Sequence, residues 1–418
     1  MGRTVTFLSL TLFSTMLAQT SFSMTLNDVL SHVATSNPNV VASQKSIEVA
    51  DEGVKQERAD MLPSLIATGS YTNTKQEFDT GTDTDFTPKV YGATLTQTLF
   101  AGGGEYNGYR SAQYLSEEAR QNYQSFLQDT LNATASAYIN VLTAKEVLDL
   151  QANQVKLLQE QQKLTNARFD QGEVTKTDVK QAEARLALAI AAKIQAKGSY
   201  RTARTALQNL VGMHVDDVSW PVVNYDLPTE YSLELRDEVF EAHPDVLAAK
   251  AVLESSKKQV KTARSVYFPR VSAVASYTDY EDSASGDYTN ESIGVQVSLP
   301  LFEGGRNVSG VRESISLREQ ARQIFEQSKR DVDQNLFDAI ELYNTAVASL
   351  KAFKESEAAA IIAEKGVENE QMLGERTVLD LLNARQELLE ARVNVAIAKG
   401  DVIARTYALL EAMGRLEI

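Results

Sequence analysis

The hydrophobic positions of this chain follow two different periods, and the first of them is seven residues. One run is Leu150, Leu157 and Leu164, and a second is Leu381, Leu388, Val395, Val402 and Leu409. A seven-residue repeat is typical of helices that pack side by side as coiled coils. No proline falls between positions 88 and 221 or after 300, and both stretches are rich in helix-favouring residues. The run from Gly104 to Phe169 would extend roughly 100 Å as one helix, longer than a compact core requires.

The second period is two residues, and it occupies four short segments between the helical runs. In each segment the apolar or small residues occupy every second position. They are Leu65, Ala67, Gly69 and Tyr71, then Tyr91, Ala93 and Leu95, then Val271, Ala273, Ala275 and Tyr277, then Ile293, Val295, Val297 and Leu299. Alternation of this kind predicts strands with one apolar and one polar face. Nine or ten residues is also the length of a tilted strand that crosses a bilayer. A soluble sandwich, with the apolar face against a second sheet, is the alternative, although four strands make a poor sandwich.

The chain is a tandem duplication, because matching residues recur at a nearly constant offset. The offset is 206 at the start, where Pro38 matches Pro244, and 202 from the second strand onward, where Gly172 matches Gly374. The expected divisions are a signal peptide at 1–23, a first repeat at 24–219, a linker at 220–232 and a second repeat at 233–418. The first repeat has strands at about 64–72 and 90–100 and long helices at about 104–212. The second has strands at about 270–278 and 292–302 and long helices at about 306–413.

Composition narrows the possible functions of the 418-residue chain. The net charge of −15 argues against a nucleic-acid partner, and the absence of cysteine excludes disulfides and thiolate metal sites. The three histidines, His32, His214 and His243, are scattered and form no metal cluster or catalytic triad. The sequence therefore predicts no enzyme activity and no cofactor.

The first residues have the pattern of a secretory signal. Arg3 supplies the positive start, an apolar stretch runs from Val5 to Leu17, and Ser21 and Ser23 provide small residues before a cleavage site. The mature chain is expected to begin near Met24. An N-terminal membrane anchor is the alternative, but the apolar stretch is short for a membrane span.

A sheet in lipid must not leave unpaired edges, because each unsatisfied backbone group there costs several kcal/mol. One chain supplies four strands, which is too few to close a barrel with a lumen. Several chains must therefore combine if the strands cross a membrane. The strand count alone allows two, three or more.

The duplicated plan resembles the TolC family of outer-membrane channels. The resemblance includes the Leu-Pro-Leu-Phe-Glu-Gly-Gly turn at 299–305 and the Gly-Glu-Arg-Thr-Val-Leu-Asp segment at 374–380. It implies a mixed, mostly α fold, with a trimeric 12-stranded outer-membrane β-barrel continued by a periplasmic α-helical coiled-coil barrel. An equatorial belt would come from residues near 213–235 and the C-terminal tail.

The resemblance also implies a function. The homotrimer would be the exit duct of a tripartite export system, for type I protein secretion, efflux or both. An inner-membrane transporter would energise it indirectly through a periplasmic adaptor protein. A non-channel coiled-coil structural protein of the periplasm is the alternative, and the heptads alone do not exclude it.

Two glycines, Gly172 and Gly374, interrupt the helical runs at matching places, and each precedes a Thr-x-x-Asp sequence. Glycine favours the end of a helix and Thr-x-x-Asp favours the start of the next, so each segment predicts a turn between two helices. The acidic members, Asp178 and Asp380, are expected to cap these helices.

By the resemblance, these turns form the periplasmic entrance of the channel. Asp380 would face the pore axis and form a ring of three carboxylates, which attracts cations. Relatives often have a second acid three residues later, where this chain has Asn383. Strong block by cations is therefore not expected.

The resemblance further implies an entrance latch, in which Arg376 links to Thr177 and Asp178 on neighbouring helices. Gln371 stands where the family has an aromatic residue that shares this latch. The same turns would dock a periplasmic adaptor. The expected adaptor contacts are Gly172, Glu173, Val174, Gly374, Glu375 and Leu379.

Overall fold

A computed structural model of the chain describes residues 24–77, 79–81, 84–215, 218–222, 225–282 and 286–417. The expected signal peptide at 1–23 lies outside these residues. The helices are α1 (Leu26–Ser36), α2 (Pro38–Ala59), α3 (Gly104–Asp170), α4 (Lys176–Val211), α5 (Leu233–Ala242), α6 (Pro244–Arg264), α7 (Arg306–Met372) and α8 (Val378–Ala412). The strands are β1 (Ser64–Tyr71), β2 (Thr74–Gln76), β3 (Thr84–Phe86), β4 (Lys89–Ala101), β5 (Arg270–Glu281) and β6 (Tyr288–Ser298).

The elements repeat in the same order in the two halves of the chain. Each half has two short helices, an antiparallel strand pair, one very long helix and a shorter return helix. The long helices α3 and α7 each contain 67 residues, so each extends about 100 Å. Because both begin directly after the strands, the sheet lies at one end of the long helices and the two interhelical turns lie at the other.

The strand pairs of both halves join into one antiparallel sheet with the order β1-β4-β5-β6. Strand β4 pairs with β5 across the repeat boundary, for example at Ala93 and Tyr277. Strands β1 and β6 are the two edges. Two short strands that the sequence did not predict, β2 and β3, form a separate ribbon in the loop between β1 and β4.

The last strand ends earlier than the sequence predicts. Strand β6 ends at Ser298 rather than near 302, because Pro300 has no N–H to donate to the ladder. The matching residue of the first half is Thr98, and β4 continues past it to Ala101 with a bulge between Thr98 and Phe100.

The apolar face of the sheet is exposed in the single chain. Ile293 is 89% exposed and Val295 is 65% exposed, and no second sheet among the described residues covers them. The soluble-sandwich alternative is therefore wrong. Among the described residues, no helix has both the length and the apolar character that a membrane crossing requires.

The main hydrophobic cores surround the middle of the long helices. One contains Leu131, Tyr138 and Leu142 of α3 together with residues of α1, α4 and α8. A second contains Leu336 and Ile340 of α7, with residues of α5, α6 and α8. The short helices of both halves thus pack against the long helices near the midpoints of the long helices.

Tyr138 and Trp220 attach the linker between the two halves to this middle region. The Tyr138 hydroxyl accepts the backbone N–H of Ser219 at 3.0 Å and lies 3.0 Å from the carbonyl oxygen of Met24. Met24 and Val218 form an isolated parallel bridge beside it. The next aromatic, Trp220, has the Lys399 ammonium 3.9 Å from its ring centre, which is a cation–π contact.

Gly400 allows α8 to approach α3 closely. A Cβ atom at this position would overlap the Thr143 hydroxyl and lie 3.1 Å from Ile139 Cγ2. The matching glycine of the first half, Gly198, has nothing within 4 Å of such an atom. The duplicated glycines therefore have different roles in packing.

Gly400→Ala and Gly198→Ala are expected to change stability in opposite directions. Gly198→Ala should raise the free energy of unfolding by about 0.5–1 kcal/mol, because alanine favours a helix. Gly400→Ala should lower it by about 1–3 kcal/mol, because the added methyl overpacks the α3–α8 contact. Heat unfolding of the detergent-solubilised protein, followed by circular dichroism, measures both. Equal shifts for the two variants would contradict the close approach of α8 to α3.

Candidate functional site

The two interhelical turns have the same backbone geometry. Gly172 and Gly374 have positive φ angles of 76° and 81°, which suit glycine. After each glycine, the N–H of Glu173 or Glu375 donates to a carbonyl five residues back, at 2.9 Å in both turns. This pattern satisfies the last carbonyls of α3 and α7 and ends both helices in the same way.

Capping boxes start the return helices α4 and α8. Asp178 Oδ2 accepts from the backbone N–H and the hydroxyl of Thr175, both at 2.8 Å. Asp380 Oδ2 accepts from the same groups of Thr377 at 3.0 and 2.8 Å. The capping predicted for both acids is therefore confirmed.

These hydrogen bonds also fix the charge of the two carboxyl groups. The bonds from Thr175 lower the pKa of Asp178, and the bonds from Thr377 lower the pKa of Asp380. Both groups are thus anionic at neutral pH. The Asp380 carboxylate can attract a cation while it caps α8, because a carboxylate has more acceptor sites than the cap uses.

The predicted adaptor contacts are accessible in the single chain. Gly172, Glu173, Gly374 and Glu375 are exposed, and Val174 is half-buried. Leu379 is exposed as well, and nearby Leu373 is 77% exposed. The two interhelical turns form the tip of the helical region. This tip presents glutamates next to exposed apolar side chains, a combination that suits contact with another protein.

The structure does not bring the predicted latch residues together within one chain. Arg376 Nε donates to Glu370 Oε2 at 2.9 Å, in the last turn of α7. Arg376 has no hydrogen bond to Thr177 or Asp178 among the described residues, and Gln371 contributes a backbone carbonyl that accepts from Gly374. A carboxylate at a helix C-terminus is unfavourable, so Arg376 offsets the charge of Glu370. The interhelical latch stays a prediction.

Asn383 of α8 contacts an arginine on the return helix of the other half of the chain. Its Oδ1 accepts from Arg185 Nη2 of α4 at 2.9 Å. Asn383 lies three residues after Asp380, on the same side of α8. No local pattern indicates this contact, because the two residues belong to different halves of the chain.

A buried arginine joins three helices near the same end. Arg385 of α8 donates to Glu368 at 2.8 Å and to Glu364 at 3.2 Å, both on α7. Its side chain is only 13% exposed, and Gln161 of α3 lies 3.5 Å away. The spacing of Glu364 and Glu368, four residues apart, is the one sequence signal for a shared partner on this face of α7.

A second polar cluster lies at the middle of the long helices, around a cavity of about 310 Å³. Asn132 of α3 donates to Glu411 of α8, and His243 Nδ1 accepts the backbone N–H of Asp245 at 3.3 Å. His243 is thereby the N-cap of α6, which begins at Pro244. Within the described part of the chain, no group of three or more His, Asp or Glu side chains is arranged to hold a metal.

Burial changes the protonation of this cluster. Burial, and next the neighbouring Asp129 carboxyl, raise the pKa of Glu411 to about 8. Burial lowers the pKa of His243, which agrees with the neutral ring that accepts from Asp245. Glu411 is therefore largely protonated at neutral pH.

A sequence model of the family described as outer membrane efflux protein matches residues 29–213 and 235–415. The chain is 31% identical over 401 residues to the outer membrane efflux protein BepC of Brucella suis biovar 1, over 95% of this chain and 87% of BepC. It is 26% identical over 416 residues to the outer membrane protein TolC of Escherichia coli K12, over 94% and 82% of the two chains. The crystal structure of the Campylobacter jejuni outer membrane channel CmeC superposes with a TM-score of 0.84 at 18% identity, over 93% of this chain and 85% of CmeC.

Glu411→Gln is expected to flatten the pH dependence of stability on the alkaline side. A carboxyl group with a raised native pKa stabilises the fold below its unfolded pKa, and this stability is lost as the pH rises towards about 8. The wild-type melting temperature should therefore fall relative to that of Glu411→Gln between about pH 5 and pH 9.

The difference between the two proteins isolates Glu411 from its charged neighbours. The titratable and charged groups around it are Asp129, His243, Asp245, Asp338 and Arg405. Glu387→Gln, at an exposed position of α8, is the control and should follow the wild type. A Glu411→Gln curve parallel to the wild-type curve would contradict the raised pKa.

Proposed function

The chain belongs to the outer membrane efflux protein family, and on this basis we propose that three copies form an exit duct that catalyses no reaction. The TolC-type fold predicted from the sequence is confirmed by the likeness to CmeC and TolC. The protein resides in the outer membrane and extends into the periplasm. Cargo would enter at the interhelical turns and leave through the sheet end. The energy would come from an inner-membrane transporter that an adaptor protein connects to the duct.

The sheet is the observation that supports this proposal most directly. Among the described strands, none pairs with the outer edge of β1 or of β6, and Ile293 and Val295 of β6 expose apolar side chains. Pairing β6 of one copy with β1 of the next removes both edges and leaves the apolar side chains facing lipid. Three copies of the four-stranded sheet give the 12 strands that the family resemblance implies.

The long helices support the same assembly. Leu188 and Ile194 of α4 are each 66% exposed, and Ile362 of α7 is 74% exposed. Exposed apolar rows on helices of this length indicate packing against further helices. Neighbouring copies would cover these rows and surround a tunnel about as long as α3.

The exposed turns at the far end would bind the adaptor. Glu173 and Glu375 occupy matching places, so a trimer would present six similar tips around its axis. An adaptor hairpin that docks tip to tip needs such repeated, accessible turns. The name of BepC refers to efflux and that of TolC refers to no cargo, so these relatives do not decide between protein secretion and efflux of small molecules for this chain.

Two experiments test the duct. Purified mature protein should run as a heat-resistant trimer in detergent and give stepwise conductance in planar bilayers. A water-soluble protein that never inserts would favour the coiled-coil structural alternative. Deletion of the gene, followed by comparison of secreted proteins and drug susceptibility, identifies the cargo class.

Asp380→Ala is expected to weaken block of the channel by multivalent cations. In the proposed trimer, Asp380 supplies a ring of three carboxylates at the entrance, and its removal takes away the charge that holds the cation. Asp28→Ala is the matched control, because it removes the same kind of capping box from α1, which packs against the middle of α3 and not at the turns. Single-channel recordings with a trivalent cation on the periplasmic side measure the block.

The control separates charge from capping. Asp28→Ala should leave the half-blocking concentration close to that of the wild type, while Asp380→Ala should raise it by about tenfold or more. Equal effects of the two variants on the half-blocking concentration would contradict the placement of Asp380 in the pore.

Arg376→Ser and Glu370→Gln distinguish two roles of Arg376. If Arg376 latches to Thr177 and Asp178 of a neighbouring helix, Arg376→Ser should raise the conductance of the closed channel. Glu370→Gln should not raise it, because it releases Arg376 from its contact at 2.9 Å and leaves it available to the latch. An equal rise of the closed-channel conductance in both variants would show that the pair of Arg376 and Glu370, and not the latch, keeps the channel closed.

A further inference from the structure

The contact between Arg185 and Asn383 places a positive charge next to the proposed carboxylate ring. Asn383 is one helical turn, about 4.5 Å along α8, from Asp380. Its Oδ1 accepts from Arg185 Nη2 at 2.9 Å, and this bond extends from α4 to α8. The guanidinium is therefore held at a defined place beside the entrance rather than left free in solvent.

Arg185 has no ion pair with a carboxylate among the described residues. Its neighbour on α4, Glu183, is bound to Lys180 at 2.7 Å instead. Arg185 and Glu390 both line a groove of about 290 Å³. Glu390 accepts a hydrogen bond from Gln386 at 2.9 Å. Arg185 is half-buried, and its partner Asn383 is exposed. Among the described residues, the positive charge of Arg185 is thus not neutralised within an ion pair.

Asparagine at position 383 is what leaves this charge uncompensated. An aspartate there would accept the same hydrogen bond and would cancel the guanidinium charge in an ion pair. With Asn383, each protomer contributes one negative charge from Asp380 and one positive charge from Arg185.

We propose that Arg185, oriented by Asn383, determines the charge selectivity of the entrance by offsetting the Asp380 ring. The inference rests on the proposed trimeric duct, in which three Arg185 groups lie one turn further inside than three Asp380 groups. Such an entrance binds multivalent cations weakly and admits anionic cargo that a purely acidic constriction would repel.

Removing the Arg185 charge should expose the full field of the Asp380 ring. Arg185→Gln is expected to lower the half-blocking concentration of hexaamminecobalt(III) by about tenfold in planar bilayers. The reversal potential in a KCl gradient should shift in the direction of cation preference. Asn383→Asp should have the same effect while it keeps Arg185 and its hydrogen bond.

Two further variants are controls. Arg185→Lys keeps the charge and should block as weakly as the wild type, whereas a purely structural role of the guanidinium would not be rescued by lysine. Arg201→Gln removes an exposed arginine further along α4 and should change neither measurement. Heat-resistant trimers on a detergent gel verify that each variant assembles.

The outcomes separate this inference from the proposed function. If the wild type gives no stepwise conductance, or if Asp380→Ala leaves block unchanged, the proposed duct or its carboxylate ring is wrong and the inference fails with it. If Asp380→Ala weakens block but Arg185→Gln and Asn383→Asp both match the wild type, only the role of Arg185 is overturned.

Discussion

The unpaired backbone of the sheet edges is the constraint on which the rest of the molecule depends. Strands β1 and β6 are the edges of the main sheet, and within the described part of the chain no strand pairs with the outer row of N–H and C=O groups of either one. In lipid these groups have no water to bond, so the edges require further strands from further copies. In the proposed duct, where the copies are joined at these edges, the long helices that begin directly after β4 and β6 lie side by side around one axis. The assembly of the helices thus follows from the hydrogen bonding of the sheet.

The duplication gives the molecule equal parts that have acquired unequal roles. The turns at Gly172 and Gly374 have matching hydrogen bonds, and both return helices start with a capping box. The side chains around them differ: Arg376 pairs with Glu370 in the second turn, where the first has Val174 and Arg168. A repeated backbone therefore provides the framework, and a few substituted side chains set the charge at the interhelical turns.

Local patterns were enough to predict the framework. The proline-free heptad runs predicted the long helices, and the period-two segments predicted the four strands of the main sheet. The Thr-x-x-Asp sequences predicted both caps. The side-chain contacts could not be predicted, because they join residues far apart in the chain: Arg185 and Asn383 are separated by 198 positions. The protonated state of Glu411 likewise depends on burial by α3 and α6, which no spacing within α8 reveals.

The contact between Trp220 and Lys399 has a practical consequence. Trp220 is the only tryptophan of the 418 residues, and it lies on the linker that joins the two halves. Indole emission depends on nearby charge and on exposure to water. When it is excited at a wavelength that its 16 tyrosines do not absorb, each protomer therefore emits from one place, where the linker meets α8. Any motion that separates these two segments, during folding or opening of the duct, can be followed optically without a label.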